Sequence, residues 1–122
     1  MSALTVACVQ LNSGPNIDGN LRQAAKLIRD AAKDGADFVF TPENTDFMRL
    51  TPKLTLQTAL DSEHHPGVPF FSLLAKELKI WLLIGSMKIK VSDTKVVNRS
   101  FLFTDTGLLK ATYDKLHLFD VK

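Results

Sequence analysis

The stretch Phe38-Val39-Phe40-Thr41-Pro42-Glu43 joins a short apolar run to a proline and a carboxylate. Three consecutive apolar residues are typical of a strand that is covered on both faces of its sheet. Pro42 has no N–H to donate to a neighbouring strand, so it ends this strand. The sequence therefore predicts that Glu43 lies on a loop directly after a buried strand.

The residues before this stretch predict a strand and then a helix. Residues 4–11 are apolar on both faces, which indicates a buried first strand. Between the two strands Asn20 and Gly35 stand where an N-cap and a C-terminal glycine would be. Six apolar residues recur at helical spacing between them: Leu21, Ala24, Ala25, Ile28, Ala31 and Ala32. This order indicates the start of an α/β fold.

The residues after this stretch continue the same order. Residues 50–60 give a weak helical pattern. A clearer helical face follows the Pro-Gly turn at residues 66–69, in Phe70, Leu73, Leu74 and Leu78. Further strands are predicted at residues 80–85, 96–104 and 108–113, the last two as antiparallel strands. We therefore expect a mixed sheet with helices on one face.

Composition limits the classes of function. The 122 residues are 45% hydrophobic and 23% charged, as in one small globular domain or part of one. The net charge of +2 comes from scattered residues, so we expect no nucleic-acid partner. The first apolar stretch is too short and broken for a signal peptide, and none approaches the roughly 18 residues of a membrane helix. With a single cysteine, these features favour a cytoplasmic protein without a membrane partner.

A second polar motif follows the last predicted strand, where residues 113–120 are Tyr-Asp-Lys-Leu-His-Leu-Phe-Asp. Ligands of α/β sheets bind at the carboxyl ends of strands, and both Glu43 and Lys115 stand just past a strand. A carboxylate there can act as a general base, and a fixed ammonium can stabilise charge on a carbonyl oxygen. Glu43 and Lys115 are therefore the predicted catalytic residues.

The order of these motifs resembles the nitrilase superfamily of carbon-nitrogen hydrolases over essentially the whole chain. The matching features are Val9-Gln10-Leu11, the helix that ends at Gly35, the Pro42-Glu43 strand end, Ile84-Gly85-Ser86 and residues 113–120. The last of these is most similar to the Nit-protein and ω-amidase-like branches. The resemblance implies a four-layer αββα sandwich, usually dimeric. Residues 1–122 would be the N-terminal part of its single hydrolase domain.

The resemblance also implies a chemistry. A Cys-Glu-Lys triad forms a thioester acyl-enzyme, with Glu43 as the general base and Lys115 as the oxyanion stabiliser. The implied substrate is a small, carboxylated amide, and no cofactor or metal is expected. The family's cysteine follows the lysine motif, whereas Cys8 lies in an apolar strand and is expected to be an inert core residue. The 122 residues alone are therefore expected to be inactive.

Two other functions remain open at this stage. If one sheet face is uncovered, the chain could be a non-catalytic binding or assembly module that uses this face to pair with a partner. It could also be one chain of a split enzyme, with the cysteine on a separate polypeptide. In either case, the isolated 122 residues are expected to be poorly soluble or to self-associate.

Several other side chains receive structural interpretations. His64 and His65 precede a turn and have no partners spaced for a metal, so a solvated loop is expected. His117 is expected to position the lysine loop through a hydrogen bond. Phe47 and Met48 fit either a substrate pocket or the core. The aromatic residues expected in the core are Phe38, Phe40, Phe70, Phe71, Trp81, Phe101 and Phe103.

Overall fold

Six strands form one mixed sheet in the part of the protein that the structure describes. The structure, a computed structural model, describes residues 3–115 and 119–120. Along the chain the elements are β1 (Val6–Cys8), α1 (Ile17–Lys33), β2 (Phe38–Phe40), α2 (Pro52–Thr58), α3 (Gly67–Leu78), β3 (Trp81–Ser92), β4 (Lys95–Phe103), β5 (Leu109–Asp114) and β6 (Phe119–Asp120).

The sheet changes from parallel to antiparallel at β3. The strand order is β1-β2-β3-β4-β5, in which β1, β2 and β3 are parallel and β3, β4 and β5 are antiparallel. β6 pairs with β4. Helix α1 lies in the connection from β1 to β2, and α2 and α3 lie in the connection from β2 to β3. The predicted α/β fold with a mixed sheet is confirmed.

Helices α1 and α3 cover one face of the sheet, as expected. Val39, Leu82 and Ile84 lie on this face and are completely buried. The helix residues in the same core are Leu21, Ala24, Ile28, Phe71, Leu74 and Ala75. Burial of one large apolar side chain contributes about 1.5–3 kcal/mol, so this layer supplies much of the free energy of folding.

The opposite face of the sheet is only partly buried. One row of paired residues crosses five strands on this face: Cys8, Phe40, Leu83, Leu102 and Ala111. Val6 is 48% exposed, and Phe38, Phe40 and Trp81 are half-buried rather than in the core. The prediction of a buried first strand was wrong, because β1 is an edge strand and this face has no full covering layer among the described residues.

The ends of α1 show which polar groups hold it in place. The N-cap is Asn16, whose Oδ1 accepts a hydrogen bond from the Gly19 N–H at 2.8 Å. The prediction of Asn20 as the cap was wrong, because Asn20 lies inside the first turn. At the other end Gly35 has a φ of 98°, a conformation that favours glycine, so the predicted C-terminal glycine is confirmed.

Helices α2 and α3 are shorter. α2 begins at Pro52, and the Thr51 hydroxyl caps it by accepting from the Leu54 N–H at 3.2 Å. α3 begins at Gly67, before the predicted Phe70. Within the described ranges, no helix combines the length and the apolar character needed to cross a membrane.

Candidate active site

The structure brings the two predicted catalytic side chains together. The Nζ of Lys115 lies 3.2 Å from the Oε1 of Glu43, although the residues are 72 positions apart in the chain. The side chains are 49% and 57% exposed, respectively, so the pair lies at the surface of the described part of the protein. The Lys115 N–H donates to the carbonyl oxygen of Asn98 on β4 at 2.9 Å, which fixes the backbone of the lysine.

The loop that carries Glu43 is anchored on the middle of β3, at its register shift. The Asn44 N–H donates to the Ser86 hydroxyl at 3.0 Å, and the Thr45 N–H donates to the Ser86 carbonyl at 2.9 Å. The Gly85 N–H donates to the Thr41 hydroxyl at 3.1 Å. A side chain at Gly85 would place its Cβ only 2.0 Å from the Thr41 carbonyl oxygen. The glycine therefore permits the close contact that sets the position of the loop.

A buried polar network lies directly after Glu43, and sequence reasoning missed it. The side chains of Asp46 and His65 are completely buried, with Asp46 Oδ2 2.9 Å from His65 Nε2. Asp46 also accepts hydrogen bonds from the Lys88 N–H and the Phe47 N–H, both at 2.9 Å. We call Asp46, His65 and Lys88 the Asp46 network. It satisfies a carboxylate that would otherwise be costly to bury.

The hydrogen bonds of His65 define its tautomer. The Gly67 N–H donates to His65 Nδ1 at 2.9 Å, so Nδ1 is an acceptor without a proton. The proton is then on Nε2, which donates to Asp46. The expectation of a solvated loop was wrong for His65 but fits His64, which is exposed and pairs with Asp61. No local pattern could have identified the burial of His65, because its partner is 19 positions away.

Lys88 connects this network to the Glu43 loop. It is only 8% exposed, and its ammonium donates to Asn44 Oδ1 and, at 3.0 Å, to the Phe47 carbonyl oxygen. The ammonium also lies 5.1 Å from the centroid of the Phe47 ring. Burial lowers the pKa of Lys88 from its ordinary 10.5, and the charges of Asp46 and Glu43 oppose that shift.

The other residues interpreted from the sequence lie in different surroundings. Cys8 is exposed at the end of β1, so its predicted core position was wrong, and in the described part of the chain it makes no hydrogen bond to Glu43 or Lys115. Phe47 is completely buried, whereas Met48 is 45% exposed. His117 lies outside the described residues. Among those that are described, no group of three or more His, Cys, Asp or Glu residues could hold a metal ion.

Comparisons with protein sequences identify similar proteins. A family model described as carbon-nitrogen hydrolase matches residues 5–122. Deaminated glutathione amidase of Mus musculus is 37% identical over 123 residues, which cover 96% of this chain and 37% of that protein. Deaminated glutathione amidase of a Synechocystis strain is 33% identical and is matched over 44% of its length. The chain thus spans less than half the length of these relatives.

Comparisons with solved structures agree with the fold. Nit3 of Saccharomyces cerevisiae, a member of branch 10 of the nitrilase superfamily, matches with a TM-score of 0.81 and 30% identity. That match covers 95% of this chain and 45% of Nit3. The NitFhit protein of C. elegans matches with a TM-score of 0.81 and 26% identity over 98% of this chain and 30% of NitFhit. The sheet and helices therefore have the arrangement found in nitrilase-superfamily structures.

Proposed function

Because this chain belongs to the carbon-nitrogen hydrolase family, we propose that the complete protein hydrolyses the amide bond of a small, carboxylated substrate. Residues 1–122 would be the N-terminal part of a single hydrolase domain, with the nucleophilic cysteine beyond Lys122. The observation that carries the proposal is the contact of 3.2 Å between Glu43 and Lys115 at the ends of two strands. The relatives named deaminated glutathione amidase support an amide as the substrate.

In the first half of the reaction, the cysteine becomes acylated. The Glu43 carboxylate takes the thiol proton, and the sulfur attacks the carbonyl carbon of the amide. Negative charge then develops on the carbonyl oxygen, and the Lys115 ammonium stabilises it. The C–N bond breaks, Glu43 returns the proton to the leaving nitrogen, and ammonia or an amine departs. A thioester between the cysteine and the acyl group remains.

In the second half, water regenerates the enzyme. Glu43 takes a proton from water, whose oxygen attacks the thioester carbon, and Lys115 again stabilises the oxyanion. The C–S bond breaks, and the sulfur recovers the proton from Glu43. The products are a carboxylic acid and the free thiol, and these steps use no cofactor or metal. The exposure of Glu43 and Lys115 in this chain leaves room for a nucleophile and a substrate beside them.

The proposal is tested in the complete protein with deaminated glutathione and with a simple dicarboxylic acid monoamide as substrates. Glu43→Gln and Lys115→Ala should each lower kcat about 10²–10⁴-fold, because each removes a group that acts on the transition state. Glu63→Gln is the matched control, since Glu63 is exposed and lies on another loop. Mass spectrometry should detect a thioester adduct on the cysteine. Amidase activity near wild type in Glu43→Gln would refute the proposed roles.

One observation also favours a second function. The partly exposed row from Cys8 to Ala111 could bind a partner and make the chain a non-catalytic assembly module. A split enzyme would use the same face to bind the chain that supplies the cysteine. Amidase activity that arises only when two polypeptides are mixed would support the split enzyme. Stable pairing without activity under any condition would support the assembly module.

We also propose that the complete protein is a cytoplasmic homodimer, with neither a nucleic-acid nor a membrane partner. The net charge of +2 without a basic run supports the absence of nucleic acid. Sedimentation equilibrium of the complete protein measures the oligomeric state directly, and a mass equal to one chain would contradict the dimer. Fractionation of the source cells would test the compartment.

A further inference from the structure

A cavity of about 260 Å³ lies between the loop that follows Glu43, helix α2 and strands β3 and β4. Its wall includes Asn44, which directly follows Glu43, and Asn98, whose carbonyl oxygen accepts from the Lys115 N–H. The cavity therefore lies next to the loop that carries Glu43 and next to the β4 residue that binds the Lys115 backbone. Typical ligand pockets have volumes of about 300–1,000 Å³, and this cavity is slightly smaller. Its volume therefore suits a small ligand.

The wall of this cavity is cationic on one part and apolar on another. Arg49 and Lys88 contribute the charged groups, and among the residues that the structure describes no Asp or Glu lines the cavity. Leu50 and Val96 contribute apolar surface. An anionic group joined to a short hydrocarbon chain would match this combination of surfaces.

Arg49 has donor capacity that the described residues do not use. Its Nε is buried and has no hydrogen-bond partner among the described residues. No carboxylate in residues 3–115 forms an ion pair with its guanidinium. Because Nε itself is closed to solvent, a ligand in the cavity would bind the terminal nitrogens of this guanidinium. A carboxylate is the acceptor that best fits the geometry of a guanidinium.

Lys88 adds a second cation with spare capacity. An ammonium has three N–H donors, and two of them bind Asn44 and the Phe47 carbonyl oxygen. One donor is therefore left for a ligand. These two hydrogen bonds also hold the ammonium in place before a ligand arrives, which lowers the entropy cost of binding.

We propose that this cavity is the subsite for the carboxylate of the amide substrate, with Arg49 and Lys88 as its ligands. The inference rests on the proposed amide hydrolysis, and it assigns specificity for anionic amides to residues of this chain. The apolar wall contacts the methylene chain between the two ends of the substrate. With the carboxylate held in the cavity, the amide carbon is placed near Glu43 and Lys115.

The test uses the complete protein and a substitution at Arg49. Arg49→Gln removes the charge of a partly exposed residue, whereas a change at the buried Lys88 would also disturb the Glu43 loop. Arg22→Gln is the matched control, because Arg22 is exposed on α1 and does not line the cavity. The substrates are the monoamide of succinic acid and its methyl ester, which differ in one charge. Succinate itself is the probe for binding by titration calorimetry.

Arg49→Gln should raise the KM of the monoamide and the Kd of succinate about tenfold or more, the effect of losing one charge-assisted hydrogen bond. The KM of Arg49→Gln for the methyl ester should stay within about twofold of wild type, and Arg22→Gln should match wild type throughout. Equal effects on the two substrates would overturn the inference. So would wild-type protein that does not bind succinate, since Arg49 would then pair with a carboxylate elsewhere in the protein.

Failure of this inference can be told from failure of the proposed function. Binding of succinate requires no catalysis, so it reports on the subsite even in a protein without amidase activity. Succinate binding that depends on Arg49, together with full activity in Glu43→Gln, would sustain the subsite and refute the catalytic roles. Loss of activity in Glu43→Gln, with no effect of Arg49→Gln on the monoamide or on succinate, would support the catalytic roles and refute the subsite.

Discussion

Two carboxylates on one loop, Glu43 and Asp46, have opposite surroundings. The Glu43 side chain is 57% exposed and contacts one ammonium. The Asp46 side chain is completely buried and accepts hydrogen bonds from three donors, on Phe47, His65 and Lys88. The two residues are only three positions apart, so burial and hydrogen bonding, rather than residue type, distinguish them.

The difference separates two tasks of the loop. A buried carboxylate whose two oxygens both accept hydrogen bonds is closed to a substrate, and it holds its neighbours in one arrangement. An exposed carboxylate with one hydrogen-bond partner can still accept a proton during the reaction. Asp46 should therefore matter for stability, and Glu43 for activity. Five measurements on the complete protein can break or sharpen this distinction.

The largest effect on stability is expected from Asp46→Ala. It leaves three buried donors without an acceptor, so the free energy of unfolding should fall by about 3–5 kcal/mol. Denaturation with urea, monitored by circular dichroism, measures this change. Asp93→Ala, in the exposed turn between β3 and β4, is the control and should change stability by less than about 0.5 kcal/mol. Similar values for the two variants would remove the structural role of Asp46.

A smaller loss is expected from His65→Ala. The substitution deletes the acceptor of the Gly67 N–H and the donor to Asp46, and it opens a cavity, so stability should fall by about 2–4 kcal/mol. The neighbouring His64→Ala provides the control. His64 is exposed and pairs only with Asp61 in the described chain, so its loss should cost less than about 1 kcal/mol. Equal losses of stability in the two variants would contradict the structural role of the buried His65.

A still smaller change in stability is expected from Glu43→Gln, despite its expected large effect on kcat. The Glu43–Lys115 ion pair is about half exposed, and solvent screens it, so the free energy of unfolding should change by less than about 1 kcal/mol. The same urea titration measures it. If Glu43→Gln lowered the free energy of unfolding as much as Asp46→Ala does, both carboxylates would have a structural role.

The finest comparison uses the pKa of Lys88 as a probe of both carboxylates. Burial lowers this pKa, and Asp46 opposes the shift more than Glu43 does. Asp46→Asn should therefore lower the Lys88 pKa further than Glu43→Gln, as followed by NMR of the labelled Lys88 side chain. A larger decrease of the Lys88 pKa in Glu43→Gln than in Asp46→Asn would show that Glu43, not Asp46, has the larger effect on this pKa.

The lowered pKa of Lys88 also fixes the sign of a pH dependence. Between its folded value and 10.5, the unfolded chain binds more protons than the folded chain. The contribution of Lys88 to the free energy of unfolding should therefore rise with pH in this window. Comparison of wild type with Lys88→Met across the window isolates that contribution, and a fall with pH would show that the sign is wrong.

Sequence patterns predicted the parts of the fold that depend on near neighbours. The strand Phe38–Phe40 and the glycine after α1 were predicted because their signals lie within a few residues. The meeting of Glu43 and Lys115 followed from a general rule about strand ends, although the residues are far apart in the chain. The cap of α1 was misplaced because Asn16 and Asn20 are both acceptable cap residues.

Other features depend on where the elements meet. The exposure of β1 follows from its position at the edge of the sheet, which a pattern of apolar residues does not encode. Predicted strand 80–85 is part of a longer β3 that continues past a register shift between Ile84 and Met87. The burial of Asp46 and His65 depends on pairing across 19 positions, for which neither residue carries a local signal.

The backbone of Asn44 restricts how this loop can change over evolutionary time. Its φ of 60° lies in the left-handed region, which glycine, asparagine and aspartate tolerate best. Its side chain must also accept a hydrogen bond from Lys88, which glycine cannot do. Of the twenty amino acids, asparagine and aspartate alone combine both properties easily. A saturation library at position 44 should therefore yield very few tolerated residue types. The neighbouring exposed positions Pro42 and Met48 do not have to meet both requirements.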